Sequence, residues 1–152
     1  KFDALVMLNV TMFADQFQEL AQYFDGVHFP SRELLRLSKR PMPSSLLISA
    51  SCHNRTELLK AQEVGLDFVY LSPVLSPTSH SASTYLGWDR SADLVNCSEL
   101  PIYGLGGMTA SDISTACNVG LHGISMVSEL WDSKDPGYTV DEIEKKLFAF
   151  RV

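Results

Sequence analysis

The segment Asn54–Pro73 (NRTELLKAQEVGLDFVYLSP) decides the fold. Asn54 and Glu57 have the spacing of a capping box, in which Asn54 caps a helix start and Glu57 reaches back. Leu58, Leu59 and Ala61 supply the apolar positions of that helix, and Gly65 can take the left-handed conformation that ends it. After a short turn, Phe68–Pro73 runs apolar without polar alternation. Such a run reads as a strand buried on both faces. Helix, turn and buried strand make one unit of a parallel α/β sheet.

The same unit recurs on both sides. Short apolar runs appear at Leu5–Val10, Gly26–Pro30, Leu46–Cys52, Phe68–Pro73, Ile102–Gly107 and Gly123–Ser128. Their centres lie about 21 residues apart, except for one interval of about 34, which is the repeat length of strand, turn and helix. Thr11–Phe24 carries Phe13, Phe17, Leu20, Ala21 and Phe24 at helical spacing. Ser31 is placed to cap a short helix bearing Leu34, Leu35 and Leu37. Thr109 and Asp112 open another helix, with Ile113, Ala116 and Cys117 on one face and Gly120 as its stop. Thr139 is the expected cap of the last helix, whose stripe is Ile143, Leu147 and Phe150. An α/β fold of parallel strands in a single domain over 1–152 is the expectation.

Composition excludes several classes. With 45% hydrophobic residues in 152, the chain has enough apolar material to bury a core, which argues against disorder. A net charge of -6 argues against generic nucleic-acid binding, which needs clustered Lys and Arg. No apolar run is long enough to cross a membrane. Cys52, Cys97 and Cys117 are odd in number and widely spaced, which fits free thiols in a reducing, cytoplasmic setting rather than a disulfide framework. A small anionic ligand remains compatible with the acidic balance, because backbone amides can hold it without net positive charge.

Several residues have the chemistry of a site. Gly104-Leu-Gly-Gly-Met-Thr109 joins a strand to a helix. Small residues there let the backbone approach a phosphate, or simply permit a tight turn. Ser128, at the end of the next strand, adds a hydroxyl and an amide, or caps a helix. Ser51 and His53 share one strand face, whereas Cys52 points to the other, so Cys52 reads as a buried structural thiol and not as half of a Cys-His pair. His28, within an apolar strand, reads as a satisfied core histidine. The polar stretch Ser76–Gly87, containing His80, is either a surface loop or a ligand loop. Tyr85 and Trp88 read as packing anchors. Asp25, Glu33 and Asp67 lie too far apart in sequence to suggest a metal set.

Taken together, five stretches resemble the thiamine-phosphate synthase and thiazole tautomerase superfamily. They are Phe24–Ser31 (FDGVHFPS), Ser49–His53 (SASCH), Gly65–Val74 (GLDFVYLSPV), Pro101–Met108 (PIYGLGGM) and Gly123–Ser128 (GISMVS). The wording Ser-Cys-His-Asn and Leu-Ser-Pro-Val is also similar to the domain fused behind Nudix hydrolases in some of these proteins. The resemblance implies an eight-stranded (β/α)8 TIM barrel whose first two strand–helix units have no counterpart here. It implies transfer of hydroxymethylpyrimidine from its diphosphate to thiazole phosphate with Mg2+. The alternatives are a non-catalytic phosphate-ligand or regulatory domain and a tautomerase-like isomerase. The implied partner is a small phosphorylated thiazole or pyrimidine, and a homo-oligomer is compatible.

Carried over residue by residue, the resemblance assigns Gly106, Gly107, Val127 and Ser128 to a phosphate cup. Ser51 matches the family's strand serine and is the expected catalytic hydroxyl. Asn9 matches the first residue of the Asn-Asp pair on the diphosphate side, with Val10 in place of the Asp. Glu33 falls at the second magnesium carboxylate. In the loop, Ser79 replaces a threonine and is a further expected phosphate contact, and His80 replaces the diphosphate-binding lysine and is, with Ser51, the other expected catalytic residue. The tautomerase histidine falls at Pro73. The thiazole-phosphate side is therefore expected to be kept and the diphosphate side to be weakened.

Overall fold

The computed structural model describes residues 4–12, 15–76 and 84–149. Its strands are β1 (Met7–Asn9), β2 (Gly26–Phe29), β3 (Leu47–Cys52), β4 (Phe68–Leu71), β5 (Ile102–Leu105) and β6 (Gly123–Ser125), and they follow chain order in one six-stranded sheet. The pairings β1–β2, β2–β3 and β5–β6 are parallel. The α/β expectation holds, and each of the six apolar runs contains a strand.

The helices are α1 (Phe17–Leu20), α2 (Ser31–Leu34), α3 (Arg55–Val64), α4 (Gly87–Val95), α5 (Ile113–Asn118), α6 (Ser128–Trp131) and α7 (Pro136–Ala149). The chain divides into two compact units. One is Lys1–Tyr70 with Cys97–Pro101, and the other is Leu71–Asn96 with Ile102–Val152.

In the first unit, β2 and β3 are buried at nearly every position, which explains their unbroken apolar sequence. Val27, Ile48, Ala50 and Leu58 lie in its core. Two aspartates hold the strand starts together. Asp25 accepts from the Val6 amide at 2.8 Å, and Asp67 accepts from the Ile48 amide at 2.6 Å. Arg40 donates to both Asp67 oxygens and to the Gly65 and Leu46 carbonyls. In the second unit, Leu71, Val74, Ile113 and Ala116 are buried. The His122 amide donates to the Ile102 carbonyl at 2.8 Å, repeating the junction made by Asp67 and Ile48.

Helix ends with local signals fall where expected. Asn54 Oδ1 accepts from the Glu57 amide at 3.1 Å, and Gly65 closes α3 with φ +78°. Glu57 reaches back to accept from the His53 backbone amide and the Asn54 side-chain Nδ2, rather than from the Asn54 backbone N–H. Thr109 and Asp112 form a capping box over the 3-10 turn that leads into α5.

Three expected elements differ. Thr11–Phe24 is not one helix. Asn9 Oδ1 accepts from the Thr11 amide and hydroxyl, which turns the chain, and among the described residues of this span only Phe17–Leu20 and a 3-10 turn at Ala21–Tyr23 are helical; Phe13 lies outside the described residues. Ser31 is the first residue of α2, not its cap, because the Pro30 carbonyl already accepts from Glu33 and Leu34. The last helix starts before Thr139. Asp135 Oδ1 accepts from the Tyr138 amide, and Pro136 takes the first helical position, where its missing N–H costs nothing. Of the two expected packing anchors, Tyr85 is 56% exposed, against its expected packing role, whereas Trp88 is half-buried.

Leu58 is 0% exposed and Leu59 is 46% exposed. Leu58→Ala is expected to lower stability by about 2–5 kcal/mol through lost burial and a residual cavity. Leu59→Ala should stay within about 0.5 kcal/mol. Urea unfolding of the two variants checks the contrast, and equal losses would remove this placement of the core.

Candidate functional site

In the second unit, the ends of β5 and β6 and the segments that follow them enclose an open cavity of about 570 Å³. Gly106, Gly107, Val127 and Ser128 all line it, so the four residues expected to form the cup do converge. Gly106 and Gly107 have φ of +95° and +63°, conformations that L side chains rarely adopt. A Cβ on Gly106 would come within 2.8 Å of Pro73, and one on Gly107 within 2.5 Å of the Ser76 carbonyl oxygen. The same pair lets the segment after β4 pack close, with Val74 and Leu75 donating to the Leu105 and Gly106 carbonyls. The glycines are therefore required by the turn itself, whatever the cavity holds.

The cavity's hydrogen-bond donors are amides and hydroxyls. Ser128 starts α6, where a first-turn N–H has no intrahelical partner. The Ser125 and Ser128 hydroxyls have no hydrogen-bond partner among the described residues. Thr109 also lines the cavity, but its hydroxyl is engaged by Asp112 at 2.8 Å. Among the described residues no Lys or Arg lines it, whereas Glu129 and Asp132 do. Ser125, Glu129 and Asp132 are not singled out by the sequence reading. All three sit within a few positions of Val127 and Ser128, on the strand end and short helix that carry them.

The remaining expected residues lie elsewhere. Ser51 is the penultimate residue of β3 in the first unit, where its hydroxyl is 2.9 Å from His28 Nε2. His28 Nδ1 is 2.9 Å from the Ser49 hydroxyl, and the ring meets Tyr70 edge-on. The expectation of a satisfied histidine holds, but its partners are two serines that no local pattern joins to it. Cys52 is fully buried. Burial, reinforced by the Glu57 carboxylate, pushes its thiol up to about 12, which removes the thiolate a nucleophile needs. Ser79 and His80 lie outside the described residues.

Asn9 and Glu33 do not fit the Mg2+ expected of the family. The Asn9 oxygen is taken by Thr11, Val10 beside it is apolar and buried, and both Glu33 oxygens receive Arg36 Nη1 at 3.0 Å. No cluster of three His, Cys, Asp or Glu side chains that could hold a metal occurs among the described residues. Pro73 carries no titratable group in the place of the tautomerase histidine; its carbonyl accepts from the Leu86 amide. No helix among the described residues is long and apolar enough to cross a membrane.

A family model described as thiamine monophosphate synthase matches residues 15–130, the greater part of the chain. The chain belongs to that family. It is 26% identical over 149 residues to a thiamine-phosphate synthase of Methanococcus vannielii, covering 96% of this chain and 70% of that protein. It is 29% identical over 118 residues to one from Prochlorococcus marinus subsp. pastoris, covering 77% of this chain but only 34% of the relative. Among solved structures, a thiamine phosphate pyrophosphorylase from Pyrococcus furiosus aligns with a TM-score of 0.74 at 22% identity, over 97% of this chain and 69% of that one. A 3-hexulose-6-phosphate synthase aligns at 0.70 with 11% identity, over 95% and 74%. At these identities the structural likenesses establish the fold.

Burial holds the His28 imidazole below its ordinary value of about 6.5. Above that value the ring is neutral in both folded and unfolded chains. As pH falls through it, the unfolded chain binds a proton that the folded chain resists, so stability falls with acidification until the lower folded value is passed. Thermal midpoints measured from pH 7.5 down to 5 should therefore decline, and His28→Gln should flatten the decline. An equal slope in the variant would assign the acid sensitivity to other groups.

Proposed function

We propose that this protein acts in thiamine biosynthesis and binds a phosphorylated thiazole in the cavity at the ends of β5 and β6. The observation that carries the reading is the convergence of Gly106, Gly107, Val127 and Ser128 on one cavity, within a chain of the thiamine monophosphate synthase family. The phosphate accepts hydrogen bonds from the Gly107 and Ser128 amides and from the Ser125 and Ser128 hydroxyls. Such bonds are stronger than neutral ones because the acceptor is charged. Met108 and Val127 supply apolar wall for the ring. Glu129 and Asp132 oppose the anion, so affinity rests on donor geometry and not on the field of the chain.

A second reading is the complete transferase, which joins hydroxymethylpyrimidine from its diphosphate to the thiazole phosphate. The family match favours it. The replaced aspartate at Val10 and the engaged Asn9 and Glu33 weigh against it. Ser51 is the hydroxyl available to that chemistry.

Titration calorimetry with thiazole phosphate, followed by an assay with both phosphorylated substrates and Mg2+, separates the two. Saturable binding without turnover supports the binding role, and thiamine phosphate formation supports the transferase. Absence of both removes the proposal. Ser128→Ala is expected to weaken binding about tenfold or more, the loss of one hydrogen bond to a charged group. Glu129→Gln should tighten it about two- to fivefold by removing a like charge. Unchanged affinity in both variants would displace the ligand from this cavity.

A further inference from the structure

Parallel register sets His28 of β2 directly opposite Ser49 of β3. Ser51, two residues further along β3, returns to the same face. His28 thereby stands between two hydroxyls, with Ser49 Oγ 2.9 Å from Nδ1 and Ser51 Oγ 2.9 Å from Nε2. A neutral imidazole carries one N–H donor and one bare acceptor nitrogen, while each hydroxyl can donate one proton and accept. The three groups can therefore be hydrogen-bonded in either of two directions.

The surroundings of Ser49 break the tie. Ser49 is 0% exposed, and its hydroxyl has no partner among the described residues other than His28. If Nδ1 carried the proton, Ser49 would have to accept it, and the Ser49 O–H would be buried with nothing to donate to. Leaving a buried donor unmade carries its full desolvation penalty. If Ser49 donates to bare Nδ1 instead, every group is satisfied. His28 then carries its proton on Nε2 and donates it to the Ser51 oxygen. The Ser51 hydrogen is left over, on a residue that is only half-buried.

We infer that Ser49 and His28 are positioning residues that fix Ser51 as a hydrogen-bond donor toward a ligand. The group Ser51 meets is an acceptor, such as a phosphate or carbonyl oxygen or a bare ring nitrogen. The same polarity denies Ser51 a base, because the nitrogen facing it holds a proton and cannot take another without charging the ring. Ser51 is therefore a recognition hydroxyl and not a nucleophile. The inference goes beyond the thiazole-phosphate reading and stands whether or not the cavity of the second unit binds that ester.

Long-range proton–nitrogen NMR on the 15N-histidine-labelled protein at pH 7.5 reads the tautomer directly. The expected result is His28 protonated on Nε2, with Nδ1 bare and shifted by an accepted hydrogen bond. Ser49→Ala should move the Nδ1 resonance toward that of a free bare nitrogen, and Ser49→Thr, which keeps the hydroxyl, should restore it. A proton on Nδ1 in the unmodified protein, or an Nδ1 resonance indifferent to Ser49→Ala, overturns the inference. The first measurement needs no variant, so it survives a substitution that fails to fold. A fluorophosphonate probe should leave Ser51 unlabelled by peptide mass mapping. Labelling at Ser51 that disappears in His28→Gln would make Ser51 a nucleophile and overturn the donor assignment.

Discussion

The structure depends on the register of its parallel strands. Strands of three to six residues have few ladder bonds to hold alignment, and a slip of one residue would exchange the two faces. The junction before a strand resists that slip. Asp25 both donates to and accepts from Val6, and its carbonyl receives the Leu47 amide. Asp67 repeats the exchange with Ile48, and its carboxylate is clamped by Arg40. These are side-chain bonds to backbone at strand starts, where a ladder is otherwise free to shift. In the second unit, the His122 amide meets Ile102 by backbone alone.

What register secures is chemistry as well as packing. His28 faces Ser49 only because Gly26 is aligned with Leu47. A shift of one residue would set His28 opposite an apolar neighbour and strand its nitrogens in the core. In the second unit, the pairing of Leu105 with Ser125 sets the two strand ends level, and both residues line the cavity with the turns that follow them. Asp25 and Asp67, isolated acids in the sequence, are thus alignment devices, and their carboxylates are committed to backbone amides.

Legibility from sequence follows the range of each interaction. The caps at Asn54, Gly65 and Thr109 are readable because donor and acceptor lie within four residues. β2 and β3 are readable because burial on both faces leaves an unbroken apolar run, whereas β4, expected to be buried on both faces, alternates buried and half-buried positions, as β5 does. The periodicity of Thr11–Phe24 misleads because Asn9, outside the periodic window, captures Thr11 and turns the chain. Thr139 has the chemistry of a cap, but Asp135-Pro136 carries the stronger signal, a carboxylate followed by a residue suited to the first helical position. The glycine cup is legible from the family resemblance and from the turn chemistry, and its members do line one cavity. The His28 network is out of reach, since a contact across 21 residues depends on register and not on local pattern.

Gly106 and Gly107 carry a double obligation. Their backbone angles and their close neighbours Pro73 and Ser76 demand glycine even in a chain that has given up every ligand. The motif is thus a marker of ancestry that outlives chemistry: a relative can shed its substrate and still display both glycines intact. The serines at the cavity have no comparable architectural duty, so they are free to drift once binding is no longer selected. Of the two kinds of residue at that turn, the hydroxyls are the ones whose retention or loss across relatives would record whether the activity persists.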